Sequence, residues 1–201
     1  GIGTFGKEAY NFVDQLKNSK QKYWQILPLC PTGFGDSPYQ SFSTFAGNPY
    51  FIDLDILIKE RLLSKEECNQ VDFGSNSSRI DYEKLRLGRY PLLKKAFAKS
   101  KHHNKKEYKE FLEKNASWLG DYCLYMAVKS SFNDVSWWEW DEDIKFRRPE
   151  AVQRYKKDLA DEMEFHSFLQ YYFTKQWNTL KEYANKNGIK IVGDIPIYVA
   201  M

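Results

Sequence analysis

Residues 188–195 read Gly-Ile-Lys-Ile-Val-Gly-Asp-Ile, and they decide the fold class. Gly188 stands where a helix-ending glycine belongs, and the apolar residues after it predict a strand of a parallel sheet that is covered on both faces. The segment before it predicts a helix from Pro149, a suitable first helical residue, to about Ala184. A helix, a short turn and an apolar strand form the half-unit of an α/β barrel or a doubly wound sheet.

A second apolar strand is predicted at residues 23–29, after a helix over residues 7–20. A TIM barrel needs eight strands and typically about 250 residues, so we predict that this chain is a slice of a longer protein. The predicted fold class is α/β, a partial (β/α)8 TIM barrel with a mostly helical inserted subdomain. We expect residues 1–52 to form a barrel strand and helix with a long loop, residues 53–157 to form the insertion, and residues 158–201 to form a barrel helix and strand.

Within the insertion, local signals predict helix boundaries. Ser64 and Glu67 form a capping-box pattern at the start of a short helix. Pro91 predicts an interruption or kink in the following helix, because proline lacks a backbone N–H donor. The lysine-rich residues 99–109, with His102 and His103, predict a solvated helix end or loop with both histidines at the surface.

Residues 31–53 read Pro-Thr-Gly-Phe-Gly-Asp-Ser-Pro-Tyr-Gln-Ser-Phe-Ser-Thr-Phe-Ala-Gly-Asn-Pro-Tyr-Phe-Ile-Asp. Three glycines and three prolines predict that neither a helix nor a strand runs through this segment. Such a long loop is uncommon in a compact domain and is usually functional. Its rings and hydrogen-bonding groups match the flat C–H faces and hydroxyls of sugars. The loop therefore indicates a carbohydrate-contacting surface.

Topology connects this loop with the second strand. Ligands of parallel α/β sheets bind beyond the carboxyl ends of the strands. If the two strands are neighbours, Tyr39 in the loop and Asp194 at the strand exit open on the same face. The alternatives are that Tyr39 only packs the loop and that Asp194 only ties down a neighbouring loop.

Several ordered motifs resemble those of the amylomaltases, the 4-α-glucanotransferases of the α-amylase clan. They lie at residues 1–3, 23–29, 36–41, 46–50, 164–166 and 193–200, so the resemblance covers essentially the whole chain. It implies an α/β barrel with helical insertions and a retaining transfer of α-1,4-glucan segments between malto-oligosaccharides. It also implies that Tyr39, with Ser37 beside it, and Asp194 contact bound glucan, and that the catalytic carboxylates lie beyond Met201.

One position departs from the family pattern. Phe34 stands where many amylomaltases have tyrosine, and in some members that ring belongs to a second glucan-binding groove. Phenylalanine keeps the stacking surface but removes a hydrogen bond, which places such a groove in question for this chain.

Composition and motifs exclude several other classes. The 30 basic and 27 acidic residues are too balanced for nucleic-acid binding, and three widely spaced cysteines give neither a disulfide framework nor a zinc pattern. No apolar run approaches membrane-spanning length, so we expect a cytoplasmic protein. Residues 1–6 fit a dinucleotide fingerprint, but the next strand ends without the ribose-binding carboxylate, which argues against a dehydrogenase. We expect neither a cofactor nor a metal.

Two aromatic or polar clusters remain open to interpretation. Residues 137–140, Trp-Trp-Glu-Trp, favour a hydrophobic corner of the insertion, with a sugar platform as the alternative. Glu164 and His166 are two residues apart on a helix and do not face one another, so packing is favoured over metal binding. For the chain as a whole, a non-catalytic carbohydrate-binding module is the alternative to an enzyme.

Overall fold

The computed structural model describes residues 2–33, 35–76 and 78–199. Phe34, and with it the expectation for a second glucan groove, lies outside the described residues. The helices and strands, in chain order, are α1 (Lys7–Asn18), β1 (Tyr23–Gln25), β2 (Gln40–Ser41), α2 (Leu54–Lys59), α3 (Lys65–Asn69), α4 (Tyr82–Lys99), α5 (Lys106–Lys114), α6 (Leu119–Ser131), α7 (Glu142–Lys145), α8 (Pro149–Asp158), α9 (Ala160–Lys186), β3 (Lys190–Val192) and β4 (Tyr198–Val199). Short 3₁₀ turns lie at Pro49–Phe51, His102–Asn104 and Trp137–Glu139.

The chain forms two compact units. The first comprises Gly1–Ser100 and Tyr172–Ala200, and the second comprises Lys101–Tyr171. The first unit contains the four strands, and the regular elements in the described residues of the second are all helices. The divisions predicted from the sequence at residues 52 and 157 stay predictions.

The strands form two parallel pairs, as expected for an α/β protein. In the first pair, β1 lies beside β3, with Trp24 opposite Ile191. In the second pair, β2 lies beside β4, with Gln40 opposite Tyr198. The two apolar strands are therefore neighbours, which is the condition under which Tyr39 and Asp194 were expected to open on the same face. Neither a helix nor a strand runs through the described part of residues 31–53, as predicted. The segment is not structureless, however, because the two-residue strand β2 pairs with a segment distant in sequence and a 3₁₀ turn follows it.

The connection from α9 to β3 confirms the role of Gly188. Gly188 has φ +79°, a conformation that glycine adopts without a steric penalty. The Gly188 N–H donates to the Asn185 carbonyl at 3.0 Å, and the Ile189 N–H donates to the Ala184 carbonyl at 2.9 Å. These two bonds form a Schellman motif, which satisfies carbonyls that the end of a helix leaves unpaired.

Two helix predictions need correction. The helix that begins at Pro149 does not continue to Ala184, because a turn at Leu159 separates α8 from α9. Conversely, α4 is not interrupted at Pro91, which lies inside the helix. Pro91 has no N–H to donate to the Leu87 carbonyl, and Leu87 is 58% exposed, so this part of the helix borders solvent. The capping box at Ser64 and Glu67 is confirmed, with both of its hydrogen bonds present.

The second unit corrects the prediction for one histidine. His103 is exposed as predicted, but the prediction for His102 is wrong, since its side chain is 2% exposed. His102 Nε2 lies 2.9 Å from Glu164 Oε1. Tyr108 Oη lies 2.9 Å from the same carboxylate oxygen and 2.8 Å from Ser167 Oγ. The lysine-rich composition of this segment indicated a surface position, and the contact with Glu164, which lies 62 positions away, could not be read from the neighbouring sequence.

A small hydrophobic core stabilises the C-terminal part of the second unit. It consists of Leu124, Val128, Trp140, Ile144 and Ala151. Of residues 137–140, Trp140 alone is placed in this core, whereas Trp137 and Trp138 are exposed, so the predicted hydrophobic corner is confirmed only at Trp140. Within the described ranges, no helix is both long enough and apolar enough to cross a membrane.

Candidate functional site

The first unit brings two of the predicted site residues into direct contact. Because β1 and β3 are parallel neighbours, the segments that follow them leave the same edge of the sheet. Tyr39 Oη donates a hydrogen bond to Asp194 Oδ2 at 2.9 Å. Tyr39 is half-buried and Asp194 is exposed, so the pair is open to a ligand.

Backbone contacts fix the positions of both side chains. The Tyr39 carbonyl, directly before β2, accepts from the N–H of Tyr198, the first residue of β4, at 3.1 Å. The Tyr39 N–H donates to Ser37 Oγ at 3.3 Å, so Ser37 orients the tyrosine through its backbone. Asp194 Oδ1 accepts from the Ile195 N–H at 2.8 Å. An ionised carboxylate has about four acceptor positions, so Asp194 can accept further bonds from ligand hydroxyls.

The electrostatics of the pair keep the tyrosine protonated. The hydrogen bond to Asp194 is the largest cause that raises the pKa of Tyr39, and partial burial and the nearby negative charge act in the same direction. A phenolate would lose this donated bond and face a carboxylate. Tyr39 therefore acts as a hydrogen-bond donor at neutral pH, and its ring face provides an apolar surface.

The end of the long loop is tied to the segment that follows β1. The Asn48 N–H donates to the Leu29 carbonyl at 2.8 Å, and Asn48 Oδ1 accepts from the Tyr50 N–H at 3.0 Å. Asn48 is 3% exposed. Gly47 is required by packing, since a Cβ atom there would lie 2.2 Å from the Phe173 ring. These contacts explain why small and capping residues occupy this part of the loop.

The sequence analysis missed the residues that hold the loop at its far end. The Asp53 N–H donates to Gln176 Oε1 at 2.6 Å, and Gln176 Nε2 donates to the Asp53 carbonyl at 3.2 Å. The Asp53 carboxylate accepts from Thr4 Oγ1 at 2.7 Å and from the Ile56 N–H at 3.0 Å. Arg89 Nη2 also donates to the Ile52 carbonyl.

Only one of these anchors has a local sequence signal. Asp53 directly before a helix is an N-cap pattern, and α2 begins at Leu54. Gln176 and Arg89 reach the loop from α9 and α4, and nothing in the neighbouring sequence indicates these contacts. Burial lowers the pKa of Arg89 to about 10, so its guanidinium remains charged at neutral pH.

The described residues contain no cluster of side chains that could bind a metal ion. No group of three or more histidine, cysteine, aspartate or glutamate side chains converges within residues 2–33, 35–76 and 78–199. His166 Nε2 lies 3.7 Å from Glu162 Oε1, one helical turn before it.

Comparison with known proteins identifies the family. The family model described as 4-alpha-glucanotransferase matches residues 1–201. The chain belongs to the 4-alpha-glucanotransferase family. A 4-alpha-glucanotransferase of Clostridium butyricum is 50% identical over 200 residues, covering 100% of this chain and 41% of the relative. That of Thermus thermophilus is 44% identical over 204 residues and is covered to 40%. The chain thus spans about 40% of the length of the curated relatives that it matches.

Solved structures agree with this assignment. An amylomaltase from Streptococcus agalactiae in complex with acarbose is 46% identical with a TM-score of 0.92, covering 99% of this chain and 41% of that chain. An amylomaltase from Corynebacterium glutamicum is 16% identical with a TM-score of 0.70, covering 99% of this chain and 28% of that chain. The second likeness shows the fold alone. The resemblance to the amylomaltases found in the sequence is confirmed.

Proposed function

We propose that this chain is part of a cytoplasmic 4-α-glucanotransferase that transfers α-1,4-glucan segments between malto-oligosaccharides without a cofactor. Family membership over the whole chain supports this proposal. The observation that carries it is the hydrogen bond between Tyr39 and Asp194, which joins the long loop after β1 to the segment after its neighbour β3.

In this proposal, residues 1–201 provide substrate-binding surface. The Tyr39 ring packs against the C–H face of a glucose unit, and Asp194 accepts a hydrogen bond from a sugar hydroxyl. Ser37 keeps the tyrosine in place through its backbone. Stronger binding of the reacting sugars in the transition state than in the ground state then contributes to the rate.

The chemistry requires groups that we place beyond Met201. A retaining transfer uses two carboxyl groups about 5–5.5 Å apart. One attacks the anomeric carbon while the other donates a proton to the departing glycosidic oxygen. A hydroxyl of the acceptor glucan then attacks the glycosyl ester, and the second carboxylate takes its proton. The same proposal includes a (β/α)8 barrel completed by further strands, with residues 53–157 as a helical insertion.

The test uses the full-length protein and maltotriose as both donor and acceptor. We expect glucose and longer maltodextrins to appear together in chromatographic analysis of the products. Binding of malto-oligosaccharides without any change in their length distribution would instead indicate a non-catalytic carbohydrate-binding module.

A further inference from the structure

The second unit carries an exposed aromatic cluster that the proposed site does not use. Among its described residues, the exposed large hydrophobic side chains are Trp137 (44%), Trp138 (47%) and Phe146 (65%). The indole rings of Trp137 and Trp138 meet edge to face with centroids 6.1 Å apart. Exposed large apolar groups gathered in one place mark binding surfaces more often than single ones do.

Core formation does not account for these two tryptophans. Trp140, the third tryptophan of the same segment, is 7% exposed and belongs to the hydrophobic core of the unit. Trp137 and Trp138 instead lie in a 3₁₀ turn whose position is fixed by Lys145, because Lys145 Nζ donates to the Trp138 carbonyl at 2.7 Å. The structure therefore presents two indole rings at the surface of this turn.

A cavity of about 300 Å³ lies beside this turn. Trp137 and Trp140 line it together with Leu124 and Ile144. This volume is at the lower end of the range for small-ligand sites, which begins at about 300 Å³. The cavity has room for a small ring, and Trp137 connects it with the exposed aromatic surface.

Hydrogen-bonding groups also line the cavity. Lys145 and Arg147 both contribute to its lining. The Lys145 ammonium has three donors, and the Arg147 guanidinium has five. Arg147 Nη2 donates to Asp121 Oδ1 at 2.9 Å, so its charge is already balanced by a carboxylate. The indole N–H of Trp140 has no hydrogen-bond acceptor among the described residues.

We propose that Trp137, Trp138 and this cavity form a binding site for α-glucan on the second unit. Glucose units stack their C–H faces on the two indole rings, and one glucose unit enters the cavity, where its hydroxyls accept from Lys145 and Arg147. Most of the lining is apolar or aromatic, and Arg147 is paired with Asp121, so a neutral polyhydroxyl ligand fits better than an anion. The choice of glucan as the ligand rests on the proposed function.

The test measures how strongly amylopectin in a native gel retards the full-length protein and its variants. We expect Trp137→Ala and Trp138→Ala each to weaken the apparent affinity about ten-fold, a change of about 1.4 kcal/mol. The control is Phe12→Ala, which removes a ring of similar exposure (41%) from the first unit and should leave the retardation unchanged. Transfer from maltotriose should stay within about two-fold of the unmodified protein. Equal retardation of all variants would overturn the inference.

A second measurement needs no substitution. Hydrogen–deuterium exchange of the full-length protein with maltoheptaose should slow amide exchange across residues 137–147 relative to sorbitol at equal mass concentration. Unchanged exchange there would also overturn the inference. If the proposed function is wrong, the unmodified protein shows no transfer from maltotriose, irrespective of its retardation in the gels. The two failures are therefore distinguishable.

Discussion

At the residue scale, the candidate site depends on one contact between two segments that are far apart in sequence. The sequence analysis expected Tyr39 and Asp194 to open on the same face if their strands were neighbours. The strands are neighbours, and the hydrogen bond of 2.9 Å is a more direct connection than the sequence predicted. The roles of Ser37, Tyr39 and Asp194 toward a glucan stay predictions.

A packing prediction concerns Gly47 in the long loop. Gly47→Ala should lower the free energy of unfolding of the full-length protein by about 1–3 kcal/mol, because the new methyl group would overlap the Phe173 ring. Gly120→Ala is the matched control, since a Cβ atom at Gly120 meets nothing within 4 Å and alanine favours the helix. Denaturant titration measures both changes. Equal stability of the two variants would show that the ring can move aside.

A pH prediction concerns Glu164 in the second unit. The hydrogen bond from His102 is the largest cause that lowers the pKa of Glu164, and it outweighs the effect of partial burial. A carboxyl whose pKa is lowered by folding stabilises the protein above its unfolded pKa, near 4.5. That stabilisation is lost as the pH falls through the lower folded value. Glu164→Gln should therefore destabilise the protein at pH 7 and matter progressively less below pH of about 4.

The measurement for Glu164 is the melting temperature as a function of pH. Glu150→Gln, at an exposed position on α8, is the control for removal of a carboxylate. A stability difference between Glu164→Gln and the unmodified protein that stays constant from pH 7 to pH 3 would contradict the assigned role of the ionised carboxylate.

At the element scale, the long loop owes its shape to anchors at its far end. The backbone of Asp53 exchanges two hydrogen bonds with the Gln176 side chain on α9, and Gln176 is 3% exposed. Arg89 on α4 holds the neighbouring Ile52 carbonyl. The loop therefore ends on groups provided by two helices, and its ordered conformation is a property of the first unit as a whole.

Replacement of the helix-borne anchor tests this account. Gln176→Met keeps a similar side-chain length but leaves a buried N–H and carbonyl without partners, so it should cost about 1–3 kcal/mol of unfolding free energy. Gln153→Met, at an exposed position on α8, is the control and should change stability by less than about 0.5 kcal/mol. Denaturant titration measures the free energy of unfolding of both variants. An unchanged free energy of unfolding for Gln176→Met would mean that water replaces the lost hydrogen bonds.

Local and long-range elements differed in how well the sequence predicted them. Gly188 and the capping box at Ser64 were predictable because each depends on residues a few positions away. The burial of His102 and the strand β2 were not predictable, because their partners, Glu164 and β4, are distant in sequence. Pro91 predicted an interruption or a kink, and α4 continues through it without interruption.

At the scale of the whole molecule, the strands of the first unit have incomplete surroundings. Within the described residues, each strand pairs with one other strand. Several large apolar side chains in or next to these strands are exposed. They are Tyr23, Leu27, Val192, Ile195, Ile197 and Tyr198. Parallel strands are normally covered on both faces, so in the proposed barrel we expect these side chains to contact further strands and helices.

This surface leads to a prediction for a polypeptide limited to residues 1–201. Uncovered strand edges and apolar side chains favour association, so we expect it to self-associate in analytical ultracentrifugation and to show no cooperative melting transition. It should also lack transfer activity on maltotriose. A monomeric, cooperatively melting polypeptide would show instead that residues 1–201 are a self-contained domain.

The central claim is that Tyr39 and Asp194 contact the glucan in the full-length enzyme. Charge-assisted hydrogen bonds contribute about 1.5–3 kcal/mol, and about 1.4 kcal/mol is a ten-fold change in rate. Asp194→Asn keeps the shape of the side chain and removes its charge, while Tyr39→Ala removes the stacking ring. Asp158→Asn, at an exposed position on α8, is the control for loss of a carboxylate charge.

The most direct test measures kcat/KM for transfer from maltotriose together with the melting temperature for these three variants. The account predicts that Asp194→Asn lowers kcat/KM about ten-fold or more and that Tyr39→Ala also lowers it, both with little change in melting temperature, whereas Asp158→Asn changes neither quantity. A large fall in melting temperature for Asp194→Asn and Tyr39→Ala, with unchanged kcat/KM in the protein that remains folded, would contradict the claim.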